Sequence, residues 1–305
     1  MTQERLLQTL TSILLMADFK VSERCGMRPR SFDIIGARGP TVLVIKVAPH
    51  IDSVSEENAR DIALISRYIK GVPMIIGEKA RDSELERGAV YLRYGIVATN
   101  VMTLYDCLVE DVPPLVYAQP GGLYVNINGA LLRDLREERQ MSLGDLASAL
   151  GVSRRTISKY ESGMGTTLEI AIRLEEIFDM AIVEAIELLE SQKHLAHHQH
   201  GDVTPQGAPA DLERMGMELH GIRRAPFEVL AVYEEETILT GYGPAPKVMR
   251  RAALIGNISD ITNSRAVCVI KDYNKQKKVG KTLIIGEKDL SGLESGSDLI
   301  NLIDE

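Results

Sequence analysis

The chain has 305 residues, a length that suits two or three domains. With 45% hydrophobic and 26% charged residues, it cannot be wholly disordered, collagen-like or a coiled-coil rod. Its formal net charge of -8 excludes a global basic footprint, so any nucleic-acid site has to be locally basic.

The first predicted element is an amphipathic helix from Gln3 to Met16, with Leu6, Leu7, Leu10, Ile13 and Leu14 on one stripe. Two short apolar strands follow at 31–36 and 41–47, joined by the turn residues Ala37-Arg38-Gly39-Pro40. A helical pattern covers 55–69, with Ala59, Ile62, Ala63, Ile65 and Ile69 as its face. A strand at 72–76, a charged helical stretch at 80–87, a strand at 95–99 and a short helix at 103–109 complete the block. Strands alternating with helices indicate an α/β layer fold with a mainly buried sheet.

The middle block, 128–190, opens on three helices. Asn128 caps the first, with Leu131, Leu132 and Leu135 on its buried side. Ser142-Leu-Gly-Asp145 is a capping-box variant that opens the second, whose Leu143, Leu146, Ala147 and Leu150 fall on one face. Gly151 supplies the left-handed stop, Val152 points to the core, and Ser153 caps a third helix that ends at Ser162-Gly163. Helix, short glycine turn, helix is the sequence form of a helix-turn-helix. Ile157 and Tyr160 bury one side of the third helix. Arg155, Ser158 and Lys159 face the other way, flanked by Arg154 and Thr156. Between Gly151 and Tyr160 there are three basic residues and no acidic one. A helix that enters a major groove needs cations for phosphates and guanine edges, and small hydroxyls for close approach.

The last block repeats the order of the first: strands at 227–232 and 237–241, a helix at 246–261, strands at 266–270 and 282–285, and a helix at 298–303. Phe32-Asp33 matches Phe227-Glu228, and Thr41-Val42-Leu43 matches Thr237-Ile238-Leu239. The block therefore reads as a degenerate copy of the first, with the helical domain inserted between. The string Ile-Gly-Glu-Lys occurs at Ile76–Lys79 and Ile285–Lys288, but element order puts the two on different strands. Composition marks 191–216 as a flexible linker and 110–128, with Pro113-Pro114 and Gly121-Gly122, as a softer boundary. The expected domains are thus 1–118, 128–190 and 217–305: an α/β domain, a helix-turn-helix bundle, and a second, smaller α/β domain.

The absence of Trp and only 5% aromatics imply an aliphatic core and argue against an aromatic platform for single strands. Cys25, Cys107 and Cys268 are scattered, with no CxxC, which suits a reducing cytoplasm rather than disulfides or structural zinc. No apolar run is long enough to span a bilayer, and the N-terminal stretch lacks the parts of a signal peptide. A cytoplasmic protein without membrane contact is expected.

The middle block closely resembles the Cro/C1 (XRE) family of DNA-binding domains. The resemblance rests on Leu132-Arg133-x-Leu135-Arg136-x-Glu138-Arg139, Ser142-Leu143, Leu146-Ala147, Leu150-Gly151-Val152-Ser153, Thr156-Ile157-Ser158-x-Tyr160-Glu161 and Gly163. It implies that the helix after Ser153 is the recognition helix. Arg154, Arg155 and Lys159 would face base edges, and Ser142 would touch phosphate. Ser153, Thr156 and Ser158 complete the candidate DNA-binding set. The bland alternative is a solvated basic face on a small helical bundle.

The first block resembles the PD-(D/E)xK nuclease superfamily, on a helix, a strand bearing Asp33, a turn, the strand Val42-Leu-Val-Ile-Lys46, a helix and a strand. Active members use two carboxylates for Mg²⁺ and a lysine that orients water. Asp33 and Lys46 fit, but Val44 stands where the second carboxylate is needed. In the last block Glu228 stands at the Asp33 place, with Thr240 and Tyr242 at the other two. Asp33 and Lys46 are expected to be a relic or an ion pair, with Glu4 as a conceivable extra ligand. His194, His197, His198 and His200 could bind zinc or nickel, though a solvated linker is the plainer reading. Cys25, near Arg24 and Arg28, is read as an inert thiol rather than a redox sensor.

The whole architecture looks like archaeal helix-turn-helix transcriptional regulators. The expected function is sequence-specific binding of double-stranded DNA at a palindromic operator, as a homodimer, with no catalytic residues, cofactor or metal. The alternatives are a Mg²⁺-dependent nuclease with a DNA-targeting domain, and an adaptor for stress or toxin–antitoxin partners.

Overall fold

The computed structural model describes residues 2–81, 83–119, 121–190 and 206–305. Helix α1 (Gln3–Met16) opens the chain, its first turn capped by the Thr2 hydroxyl. There follow β1 (Lys20–Val21), β2 (Ile34–Arg38), β3 (Thr41–Val47), α2 (Glu56–Tyr68), β4 (Val72–Ile76), the small pair β5 (Lys79–Ala80) and β6 (Ser83–Glu84), β7 (Ala89–Arg93), β8 (Ile96–Thr99) and α3 (Val101–Leu108). The hairpin β9 (Val116–Gln119) and β10 (Gly122–Ile127) leads to α4 (Gly129–Glu138), α5 (Leu143–Leu150), α6 (Arg154–Glu161), β11 (Thr166–Thr167), α7 (Leu168–Phe178) and β12 (Val183–Glu184). The last part holds α8 (Ala208–Arg214), β13 (Glu218–Gly221), β14 (Val229–Tyr233), β15 (Glu236–Gly243), α9 (Ala245–Thr262), β16 (Arg265–Ile270), β17 (Lys277–Val279), β18 (Thr282–Gly286), α10 (Glu287–Ser291) and α11 (Gly296–Asp304).

Three expectations need correction. The described residues of 80–87 form no helix: β5 and β6 pair there, because the stretch has charge but no apolar stripe, and among those residues only Leu85 is buried. The stretch 110–128 is not an open boundary but carries β9 and β10. Their apolar residues Val116 and Val125 pack into the helical domain. Residues 208–214 of the expected linker form α8, whose Ala208 and Leu212 are buried in the last sheet's core. The His194–His200 cluster lies outside the described residues.

The two sheets share one topology. The first orders β1-β2-β3-β4-β8-β7 and continues through β9 and β10 to β11, with β12 also on β10. The last orders β13-β14-β15-β16-β18-β17. Successive pairings in each six-strand run are antiparallel, antiparallel, parallel, parallel, antiparallel. Element order was the right guide to the Ile-Gly-Glu-Lys strings: Ile76 ends β4, whereas Ile285 lies on β18, the topological partner of β8. The residue match needs a shift of one. Ile34 pairs with Ile45, and Val229 with Thr240, so Leu239 corresponds to Val44 and Gly241 to Lys46. Thr240 and Tyr242 therefore do not hold those two places.

One apolar cluster joins the two sheets. It contains Phe32, Ile35, Val44, Ala59, Ile62 and Ile65 from the first half, and Phe227, Leu230, Leu239, Ala252, Ile255 and Ile258 from the last. These are topologically matching positions, so like faces of the two halves meet. Polar links close the seam. The Ser31 N–H and hydroxyl both donate to the Arg224 carbonyl, at 2.8 and 2.7 Å, and the Thr237 hydroxyl donates to the Tyr68 carbonyl at 2.9 Å. The Tyr68 and His220 rings stack 4.0 Å apart. The outer face of the first sheet is covered by α1 and α3, that of the last by α8, α10 and α11.

Candidate nucleic-acid interface

The helical domain is built on its caps. The Asn128 side chain accepts from the Leu131 N–H, Ser142 and Asp145 form a reciprocal capping box, and Ser153 accepts from the Thr156 N–H. Gly151 closes α5 with φ 69°, a conformation that costs a side-chain-bearing residue about 1–2 kcal/mol. Leu132, Leu146, Ala147, Leu150, Ile157, Tyr160, Ala171, Leu174 and Phe178 bury the seams between the helices.

Two arginines close helix ends. Arg173 donates to the carbonyls of Ala149 and Leu150, and Arg139 to those of Ile177 and Phe178. Arg136 grips Glu161 through Nε at 2.5 Å and Nη2 at 3.2 Å, and this bond holds its guanidinium charged above the usual arginine range. Arg133 adds a third contact to Glu161, at 3.5 Å. The pair ties α4 to the end of α6. It was missed in the sequence because Glu161 reads as one more charge at a helix end. Its signal was there: an acid directly after the buried Tyr160, with arginines on the helix that precedes the helix-turn-helix.

On α6, Ile157 and Tyr160 are buried, whereas Arg154, Arg155, Ser158 and Lys159 are exposed and Thr156 is half-buried. Among the described residues the side chains of Arg155, Ser158 and Lys159 have no hydrogen-bond or ion-pair partner. They share one face, at i, i+3 and i+4. Arg154 leans the other way, and a Cβ at Gly144 would come within 2.9 Å of its Nε. Ser142 and Ser153 are both exposed. The Ser142 hydroxyl donates to Asp145 at 2.7 Å, and these bonds, with help from Arg154, hold the Asp145 carboxyl below its usual range. The Ser153 hydroxyl sits 2.8 Å from that of Thr156. The structure thus brings Arg155, Ser158 and Lys159 together, and spends Ser142, Ser153 and Thr156 partly on caps.

The nuclease-like constellation is arranged differently. Asp33 is fully buried. Its Oδ1 accepts from Arg30 Nε at 2.5 Å, and its Oδ2 from the Val47 N–H at 2.9 Å, with Lys46 Nζ 3.5 Å away. Lys46 donates to the Arg30 carbonyl at 2.9 Å, and burial pulls its pKa down against the opposing pull of Asp33. The nearest partner of Asp33 is therefore Arg30 rather than Lys46. Val44 is fully buried in the cluster between the halves, and Glu4 pairs with Arg24. In the last half Glu228 accepts from the Tyr242 N–H and pairs with Lys247 at 2.8 Å and Arg251 at 2.7 Å. These residues do not fit Mg²⁺. Each half offers one carboxylate, already neutralised by two cations, and an aliphatic side chain in place of the second. No group of three His, Cys, Asp or Glu among the described residues is placed to hold a metal. Cys25 is fully buried, and burial pushes its thiol up. No helix among the described residues is long and apolar enough to cross a membrane.

Comparison with known proteins agrees with both resemblances. Residues 3–114 match the PD-(D/E)XK superfamily domain, and residues 132–184 match the helix-turn-helix family. No solved structure matches the chain. Full-length relatives carry the name "Putative HTH-type transcriptional regulatory protein". The one from Methanosphaerula palustris is 60% identical over 304 residues, covering 100% of both chains. The one from Methanoculleus marisnigri is 59% identical over 310 residues, again covering 100% of both. A relative from Halobacterium salinarum is 36% identical over 312 residues, covering 99% of this chain and 97% of its own. The chain belongs to this family of archaeal HTH-type transcriptional regulatory proteins, with a nuclease-like α/β domain ahead of its helix-turn-helix.

Proposed function

We propose that the protein regulates transcription by binding a specific double-stranded DNA sequence, with α6 in the major groove. The observation that carries this reading is the face of α6, where Arg155, Ser158 and Lys159 stand exposed, with no side-chain partner among the described residues, in a chain of net charge -8. Arg155 and Lys159 reach guanine edges or phosphates, Ser158 allows close approach, and Arg154 and the capping hydroxyls of Ser142, Ser153 and Thr156 lie toward the backbone. The chain acts as a cytoplasmic homodimer on a palindrome. One helix with three cations neutralises few phosphates, and a second copy adds effective concentration. The α/β halves are degenerate copies that cut no DNA and serve dimerisation or sensing.

The test is selection of duplexes from a random pool by the full chain, followed by footprinting and light scattering of the complex. A protected palindrome bound by two chains of 33.6 kDa each is expected. Recovery of no common sequence, or a single chain on the selected duplex, would overturn the reading.

A further inference from the structure

The hairpin of β9 and β10 has no part in the reading above, yet the fold fixes it beside the loop that follows the recognition helix. Tyr124 and Val125 pair with Thr167 and Thr166 of β11, which follows α6 after residues 162–165. A Cβ at Gly165 would collide with the Tyr117 hydroxyl, so the hairpin lies directly against that loop. Its base is held from both sides. On one edge Val116 and Tyr117 pair with Ala89 and Val90 of β7, and on the other β10 carries β11 and β12. The rings of Tyr117 and Tyr124 stack at 6.1 Å. The tip beyond these pairings is exposed at Gln119, Gly121 and Gly122.

Two features of the hairpin select its partner. Residues 112–132 carry no charged side chain, in a chain where 26% of residues are charged. A hairpin with no carboxylate of its own is what a polyanion tolerates, and the exposed Glu184 of β12 pairs with Asn126 at the end of β10 away from the tip. Gly121 and Gly122 have φ of +105° and +144°, and around Gly122 a Cβ would meet nothing within 4 Å. Two adjacent glycines at the turn, with only the Tyr124 hydroxyl near a Cβ built on Gly121, at 3.4 Å, let the backbone there come close to a phosphate. Gln119 adds an exposed amide that can donate.

We infer that the β9–β10 hairpin is a second DNA contact, resting on the sugar–phosphate backbone beside the groove that α6 enters. The inference depends on the α6 reading. The hairpin positions the domain and reads no base, so its contribution is a uniform gain across sequences with a salt-dependent part.

The test uses the full chain and the duplex that it selects from the random pool, at several salt concentrations. Gln119→Lys should tighten binding several-fold at low salt and steepen the slope of log affinity against log salt by about one. Gln119→Glu should weaken binding by about 3–10-fold, with base preference and melting temperature unchanged. Hydroxyl-radical protection flanking the α6 site should fade in Gln119→Glu. Unchanged affinity and slope in both variants, while Arg155→Ala/Lys159→Ala fails to bind, would overturn the inference and leave the α6 reading standing. A change of oligomeric state in place of the slope change would make the hairpin a contact between copies and overturn it as well. Retained binding in the double variant, or no selected duplex, would overturn both.

Discussion

The cluster around Asp33 and the face of α6 both gather cations, and they differ in what those cations meet. Arg30 and Lys46 converge on a carboxylate that is out of water, and the group is closed by the Val47 N–H. Among the described residues, Arg155 and Lys159 converge on no partner. Charge that is internally satisfied holds a fold together, whereas charge held at the surface without a partner is available to a ligand. The comparison also bears on the nuclease-like half of the chain. The guanidinium of Arg30 occupies one oxygen of Asp33, and Val44 lies in the apolar seam between the halves.

The largest effect should come from opening the closed cluster. Asp33→Ala leaves two buried cations without their carboxylate, a change worth about 3–5 kcal/mol. Hydrogen exchange should accelerate over β2 and β3, and DNA affinity of the folded protein should stay within about twofold. A matching loss of affinity would show that the two regions are coupled and would break the contrast. Next is the open cluster. Arg155→Ala with Lys159→Ala should cost about 2–4 kcal/mol on a specific duplex, with the melting temperature unchanged. Gel-shift titration with circular dichroism separates the two outcomes. A fall in stability rather than affinity would make these cations structural.

The sequence made the α6 face legible because a helical period, two hydroxyl caps and one glycine all point to a single register. Leu146, Ala147, Leu150, Ile157 and Tyr160 leave no other way to lay the helices down. The doubled α/β order was legible for the same reason, at the level of elements. Its register was not: matching Thr41 to Thr237 is one residue out, since short apolar strands look alike after a slip. The hairpin β9–β10 was hidden because Pro and Gly signal both a linker and a tight turn. The seam was hidden too. Val44 and Leu239 face apolar neighbours that come from the other half of the chain, and no local pattern reports a partner so distant.

The seam itself should respond to pH more gently. Asp61 on α2 has its carboxyl pushed up to about 6 by burial, against the opposing charge of Arg224 and Arg223, and its Oδ2 has no hydrogen-bond partner. A carboxyl with a raised folded-state pKa contributes its full stability below its unfolded value and loses it as pH rises through about 6. Asp61→Asn keeps an acceptor for the Arg224 N–H and cannot ionise. It should stabilise the chain by roughly 1–3 kcal/mol at pH 8, and by little near pH 4. Unfolding midpoints of both proteins across that range check the sign. An advantage that grows toward acid would contradict the assignment.

The smallest expected effect is none at all, and it bears on the comparison most directly. If the Asp33 cluster is closed, added Mg²⁺ or Mn²⁺ should change nothing there: no cleavage of duplex, flap or four-way-junction DNA, and no metal-dependent shift in melting temperature. Mg²⁺ dehydrates reluctantly and needs several oxygen ligands in near-octahedral order. To reach Asp33 it would have to displace Arg30 from Oδ1 and the Val47 N–H from Oδ2, leaving both donors buried. Val44→Glu is a poor way to restore the site, because the new carboxylate would enter the apolar seam beside Phe32 and Phe227 and destabilise it before any metal could bind. The clean control is Asp33→Ala. Cleavage by the wild-type chain that vanishes in that variant would mean that the cluster opens, and would turn the closed region into a working site.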